Sequence, residues 1–272
     1  MHRNKNEYYY SGHGLWVRNF TKKNVVAIDI NDLISSQDMT IMLNNENNNY
    51  NKMLQRIDTE SFIHEKIVII SDGYNFKERH KILEKLPAEI AVIGVNEALS
   101  TWECNKKMDY YVVNNPYEEC RQLLPKQQKT FPKCVASTRT LSDFVDIFPG
   151  ITFTYSPVPA TNYLGQKSEA DYFIDDYRNA VCAAVGLSYK FGVKKLLLLC
   201  CDEVYDSYRP ATEKLANHFW MYPQQKIAHD LVDGNLFWLK KANIKTGYCS
   251  DGPEYKNAGY IAEDSIAKFF AE

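Results

Sequence analysis

Glu65-Lys-Ile-Val-Ile-Ile-Ser-Asp-Gly-Tyr-Asn-Phe-Lys-Glu-Arg-His-Lys-Ile-Leu-Glu-Lys-Leu86 decides the fold. The β-branched run Ile67–Ile70 stops at a tight Ser71-Asp72-Gly73 turn, and a charged amphipathic segment follows at once. A strand buried on both faces of a parallel sheet reads as a continuous apolar run, and a helix directly after it completes a βα unit. In open α/β sheets the crevice beyond the carboxyl ends of such strands is where ligands sit.

Working outward, the alternation continues. Phe76–Leu86 is expected as a helix and Glu89–Val95 as a second strand, followed by Asn96 and a short helix to Trp102. Asp109–Val113 is a third strand, ending in Asn114-Asn115-Pro116, and Lys133–Ala136 and Ile151–Tyr155 are shorter ones. Ser168 opens a long helix, with Asp171 in the capping-box position and Gly192 as the stop. Lys194–Cys201 is a central strand ending at Asp202. A helix at Pro223–Lys241, a strand near Ile244–Cys249 and a closing helix at Ile261–Phe270 complete the chain. Such alternation specifies an α/β, Rossmann-like, mostly parallel sheet with helices on both faces, here over residues 63–272. Residues 1–62 read as a small N-terminal extension. It holds an apolar run at Asn24–Ile30, a short helix at Leu33–Leu43 and an Asn-rich stretch, Asn44–Asn51, that favours turns.

The bulk numbers exclude several classes. Among 272 residues, 32 Lys and Arg face 34 Asp and Glu, a net charge of −2, which gives no support to general nucleic-acid binding. Seven cysteines without a CxxC pair fit reduced, buried thiols better than disulfides or a zinc site. The polar start has no apolar core of a signal peptide, and the longest apolar run, Leu196–Cys201, is too short to span a bilayer. The expectation is a soluble cytoplasmic protein without a membrane span, open to forming a homo-oligomer.

Each strand ends in a polar residue: Ser71-Asp72, Asn96, Asn115 and Asp202. Parallel strands bring these ends to one edge, so Gly73, Asn96, Asn115 and Asp202 are expected to line a common cleft. The first turn is neither a G-x-G-x-x-G fingerprint nor a P-loop. Gly73 can supply a positive φ and close backbone approach for a phosphate-bearing ligand. Asp72 opposes this with a negative charge unless a metal bridges the two. Ser137-Thr138-Arg139-Thr140 reads as a solvated loop rather than an anion-binding arginine.

The order of these motifs resembles the motility-accessory-factor group. That group includes flagellin glycosyltransferase-like proteins, archaeal 6-hydroxymethylpterin pyrophosphokinases and, more distantly, bacterial lipo-oligosaccharide sialyltransferases. Where their first turn reads Gly-x-Gly-Pro-Ser, Ser71-Asp72-Gly73-Tyr74-Asn75 stands here; Asn96, Asn115-Pro116 and Gly192-Val-Lys-Lys-Leu-Leu-Leu-Leu-Cys-Cys-Asp202 match later signatures. The resemblance covers residues 65 to 249. It implies a nucleotide-dependent transferase, a glycosyltransferase using a nucleotide-sugar donor as substrate, with Mg²⁺ the one cofactor left open. Gly73 and Asn75 would shape the donor pocket and Asn96 and Asn115 would bind the nucleotide. Tyr155 and Arg178 lie in the region that closes over the sugar nucleotide in the related transferases. His229 would act as the base, with Asp202 as the second catalytic residue. Two alternatives stay open. One is pyrophosphate transfer to a pterin-like alcohol, with Mg²⁺ held by Asp72 and Asp202. The other is a non-catalytic binding or structural protein on the same fold.

Overall fold

The computed structural model describes residues 8–10, 15–20, 24–29, 36–52, 55–57, 62–73, 76–124, 130–158, 173–176, 179–202 and 223–272, to which the structural statements below refer. Near the N-terminus, β1 (Tyr8–Tyr10), β2 (Leu15–Phe20) and β3 (Asn24–Asp29) form an antiparallel three-stranded sheet. A helix, α1 (Ser36–Asn51), and a two-residue strand, β4 (Gln55–Arg56), follow.

The main sheet then begins with β5 (Lys66–Ile70), α2 (Phe76–Arg79), β6 (Ala91–Val95), β7 (Tyr110–Val113), β8 (Lys133–Ser137), α3 (Ser142–Ile147) and β9 (Thr152–Val158). It continues through β10 (Phe173–Asp175), α4 (Ala180–Lys190), β11 (Lys195–Leu199), α5 (Pro223–Lys241), β12 (Lys245–Cys249), β13 (Gly259–Tyr260) and α6 (Ile266–Ala271). The strand order is β10-β9-β8-β7-β6-β5-β11-β12-β13, with β4 added on β9. The pairings within this sheet are parallel. The expected parallel set Ile67–Ile70, Ile90–Val95, Tyr110–Val113 and Leu196–Cys201 forms its centre.

The period of two along each strand divides the core into two layers. Ile67, Ile69, Ile93, Val95, Leu196 and Leu198 pack with α4 and α5, against Val181, Ala184, Leu187, Leu231, Val232 and Leu236. Val68, Ile70, Val92, Leu197 and Leu199 face the other way, onto Phe76, Leu83, Phe144, Ile266, Phe269 and Phe270. Ile67 to Ile70 are all 0% exposed, and each such side chain contributes roughly 1.5–3 kcal/mol.

Four local expectations are corrected. The Asn-rich stretch is not a turn but the second half of α1. Met42, Asn45, Glu46 and Asn49 form a buried stripe at helical spacing, and the asparagines face carbonyls. Asn45 Nδ2 donates to Pro116 O (2.9 Å) and Asn49 Nδ2 to Thr138 O (2.9 Å) and Thr140 O (2.8 Å). These hydrogen bonds override the poor helix propensity of asparagine.

The long helix does not open at Ser168. Its N-cap is Asn179, whose Oδ1 accepts from Val181 N at 2.7 Å and Cys182 N at 3.1 Å. Upstream, Phe173–Asp175 is extended as β10 and pairs with β9, and the Tyr155 hydroxyl donates to Asp176 Oδ2 at 2.9 Å. Sheet pairing at Phe173–Asp175 won over the capping-box signal of Ser168 and Asp171, which lie outside the described residues. The expected stop holds: Gly192 has φ 77°.

Phe76–Leu86 is one α-turn followed by a 3₁₀ segment, His80–Lys85. The Phe76 carbonyl accepts from the His80 side chain at Nδ1 (2.9 Å), and the two rings stack; a side-chain donor thus competes for the helical acceptor.

Finally, Ser137-Thr138-Arg139-Thr140 is buried, not solvated, at 1, 2, 7 and 0% exposure. Arg139 Nε lies 3.6 Å from Glu46 Oε2. Burial pushes the Glu46 carboxyl up, and the Arg139 charge opposes that shift.

Candidate functional site

The strand order reverses at β5. The chain builds outward through β6 to β10, then returns to the other side of β5 with β11. Such a switch point opens a crevice at the carboxyl ends of the two central strands, because the connections leave in opposite directions.

Backbone hydrogen bonds close the floor of the crevice. Ser71 N donates to Leu199 O (3.2 Å) and Gly73 N to Cys200 O (3.0 Å). Gly73 does not supply the expected positive φ. It supplies close approach, but to protein: a Cβ there would stand 2.3 Å from both Asp202 Oδ1 and Cys200 O. Positive φ belongs instead to Asn96 (51°) and Cys200 (54°), at the ends of β6 and β11. Non-glycine residues in this region store strain that surrounding contacts must hold. At Asn96, Nδ2 donates to Ser71 Oγ at 3.1 Å and the carbonyl accepts from the Tyr111 hydroxyl at 2.7 Å.

Beyond β5, β6 and β7 lies a cleft of about 170 Å³, lined by Asp72, Asn96, Glu97, Asn114, Asn115, Val113, Leu123 and Ala180. Ser71 Oγ donates to Asp72 Oδ1 at 3.1 Å. Burial, then the neighbouring Glu97 carboxylate, push the Asp72 carboxyl up to about 7. Two carboxyls are thus in contact at the mouth of a polar cleft, one of them poised to gain or lose a proton near neutrality. Asn115 is fixed from both ends: its Oδ1 accepts from Tyr117 N (2.9 Å) and its carbonyl from Leu141 N (3.0 Å). The neighbouring carbonyl, Pro116 O, is the one held by Asn45 of α1.

Of the sequence-derived candidates, Asn96 and Asn115 meet in this cleft. Gly73 and Asp202 meet each other just behind it. Asp202 is 0% exposed, its Oδ2 accepts from Ser250 Oγ at 2.5 Å, and Gly252 packs on its other side. Asp72 and Asp202 therefore do not present a joint carboxylate pair to Mg²⁺, and no step is derived through that ion. Among the described residues no group of three His, Cys, Asp or Glu side chains gathers as metal ligands.

His229 is buried on α5, stacked on Tyr255 at 4.3 Å between centroids, with Nε2 3.4 Å from Pro253 O. It does not line the cleft; Tyr255, whose hydroxyl donates to Cys201 O, stands between it and the end of β11. Tyr155 is 0% exposed in the core, so its ring is not offered to a base or sugar. Asn75 and Arg178 lie outside the described residues. Glu97 and Asn114 were not singled out, although each adjoins a candidate asparagine at a strand end.

The fold and cleft define a Rossmann-like α/β protein with a polar, carboxyl-bearing site at its topological switch point. No family model and no curated protein matches the sequence. Among solved structures, the MAf glycosyltransferase from Magnetospirillum magneticum AMB-1 matches with a TM-score of 0.57 at 16% identity, over 80% of this chain and 38% of that one. The chain thus spans well under half the length of that protein, and what the two share at this identity is the fold. A sialyltransferase, CstII from Campylobacter jejuni, in complex with the substrate analogue cytidine-5'-monophosphate, matches at 15% identity with a TM-score of 0.39, over 74% of this chain and 86% of that one. No helix among the described residues is long and apolar enough to cross a membrane.

Proposed function

We propose that this chain is a glycosyltransferase that takes a nucleotide-sugar donor in the cleft beyond the ends of β5, β6 and β7, beside the switch point. One observation carries the reading: a carboxyl pair, Asp72 and Glu97, faces asparagine amides in a cleft at the switch point. The fold on which this cleft sits is shared with a MAf glycosyltransferase. Asn96 and Asn115 hydrogen-bond the donor. The carboxyl pair takes the proton from the acceptor hydroxyl as its oxygen bonds to the anomeric carbon, while the bond to phosphate breaks and the nucleotide leaves with that electron pair. In this reading the base role expected of His229 passes to Asp72 and Glu97, and His229 supports the wall around Tyr255. Seven buried cysteines with no CxxC spacing support a cytoplasmic setting.

The test is release of free nucleotide from CMP-, UDP- and GDP-linked sugars, with and without acceptor glycans. Release from one donor class is expected, with Asp72→Asn combined with Glu97→Gln lowering the rate about 10²-fold or more while the fold is retained. A second reading, a non-catalytic binding protein, draws on the carboxylate at the first turn and the lack of Lys, Arg or His among the described residues lining the cleft. It takes over if no donor is turned over and the double variant changes only binding.

A further inference from the structure

We infer that the cleft formed by Asp72, Glu97, Asn96, Asn114 and Asn115 is a clamp for the vicinal diol of an uncharged ribose or sugar ring, and a barrier to phosphate. This deepens the transferase reading, on which it rests only for the identity of the donor: it assigns which part of that donor enters.

Three observations point the same way. The first is sign. The described lining offers two carboxyls and three side-chain amides, the Asn96 and Asn114 Nδ2 groups already donating to Ser71 and Asp176, with no Lys, Arg or His. A phosphate brought there meets negative charge with no cation among the described residues to offset it, whereas hydroxyl donors meet acceptors. The second is the helix that would otherwise bind an anion. Ala180, the first residue of α4, lines the cleft, and free amides at a helix N-terminus are the usual phosphate cradle. Here Val181 N and Cys182 N are already taken by Asn179 Oδ1, at 2.7 and 3.1 Å. The third is size. A protein cavity of about 150 Å³ holds one benzene ring, and the cleft, about 170 Å³ and open on one side, is large enough to take one sugar ring.

The geometry also fits a diol in particular. Ser71 Oγ fixes Asp72, and the same hydroxyl accepts from Asn96 Nδ2, so carboxyl and amide are held in one hydrogen-bonded row. Adjacent acceptors in a fixed row match two hydroxyls on neighbouring carbons, as an acidic residue does for ribose in dinucleotide folds. Among the described residues the charged or titratable neighbours of Asp72 are Glu97, the buried Tyr111 below, and Asp202 behind Gly73, none of them a cation.

Calorimetric titration of the full chain tests this with four nucleosides, their 2′,3′-dideoxy forms, their 5′-monophosphates, free ribose and a methyl hexoside. At least one nucleoside or sugar should bind. Removing the diol should weaken binding at least tenfold, and adding a 5′-phosphate should bring no gain. Glu97→Gln should weaken the diol ligand at least tenfold, with melting temperature and circular dichroism as folding controls. Asp72→Asn should shift preference toward the monophosphate. Binding of free ribose or hexoside within tenfold of the best nucleoside identifies the ring itself as the ligand; binding of nucleosides alone identifies a ribose presented with its base. Either result supports the clamp. A monophosphate bound tenfold tighter than its nucleoside, or dideoxy forms bound equally well, overturns it and leaves the transferase reading standing. Diol binding without turnover of any donor upholds the clamp and removes the transferase reading. No binding by folded protein removes both.

Discussion

A β-carbon added to Gly73 would lie 2.3 Å from Asp202 Oδ1, so the turn after β5 and the end of β11 are in direct contact across the switch point. The other close atom, Cys200 O, is backbone and cannot swing away. Gly73→Ala should therefore destabilise the protein by about 1–3 kcal/mol, as overpacking does elsewhere. Urea denaturation checks this; an unchanged midpoint would show that the two strand ends separate easily.

The raised Asp72 pKa has a signed consequence for stability. Unfolded, the carboxyl titrates near the usual aspartate value of 3.8, and folded it is pushed up to about 7. Between those values the folded state binds the extra proton, so the contribution is present in full below about pH 4 and is lost as pH rises through about 7. Unfolding free energy measured from pH 5 to 8 should fall with rising pH, and Asp72→Asn should flatten that slope.

Asn49→Ala removes the donor that serves the Thr138 and Thr140 carbonyls. Both lie in a buried segment, so a loss of about 1–3 kcal/mol is expected. Hydrogen exchange should quicken over 138–141 more than in β5. Asn49→Asp, which offers no donor when ionised, should not rescue it, whereas a surface change such as Asn48→Asp should be nearly neutral.

His229→Ala removes a ring stacked on Tyr255. The expected outcome is a loss of about 1–3 kcal/mol with ligand affinity within threefold of wild type. A drop of 10² or more in transfer rate at unchanged melting temperature would instead return the base role to His229.

Much of the sheet was legible because its strands are uninterrupted β-branched or leucine runs, and the helical stretch expected around Pro223–Lys241 is α5. What could not be read depends on distant partners. The asparagines of α1 are helical because their acceptors, 71 to 94 residues away in sequence, face them. Phe173–Asp175 is extended because β9 is available beside it. The site divides in the same way. Asn96 and Asn115 could be placed because a parallel strand dictates where its end points. The withdrawal of Asp202 behind Gly73, of His229 behind Tyr255 and of Tyr155 into the core could not, because each depends on how neighbouring elements pack. Glu97 and Asn114 carried a usable signal: a second polar residue beside each flagged asparagine.

The position of β5 between β6 and β11 also governs how the chain emerges during synthesis. Its partner on one side follows within about 25 residues, whereas the other, β11, begins at Lys195. Until then an all-apolar strand, Ile67–Ile70, has an unpaired edge, the kind of surface on which nascent chains join one another. Fragments ending before Lys195 should accumulate as aggregates or be held by chaperones, and those extending through Cys249 should not. Interrupted translation would thus reveal the molecule's weakest moment at one of its deeply buried strands.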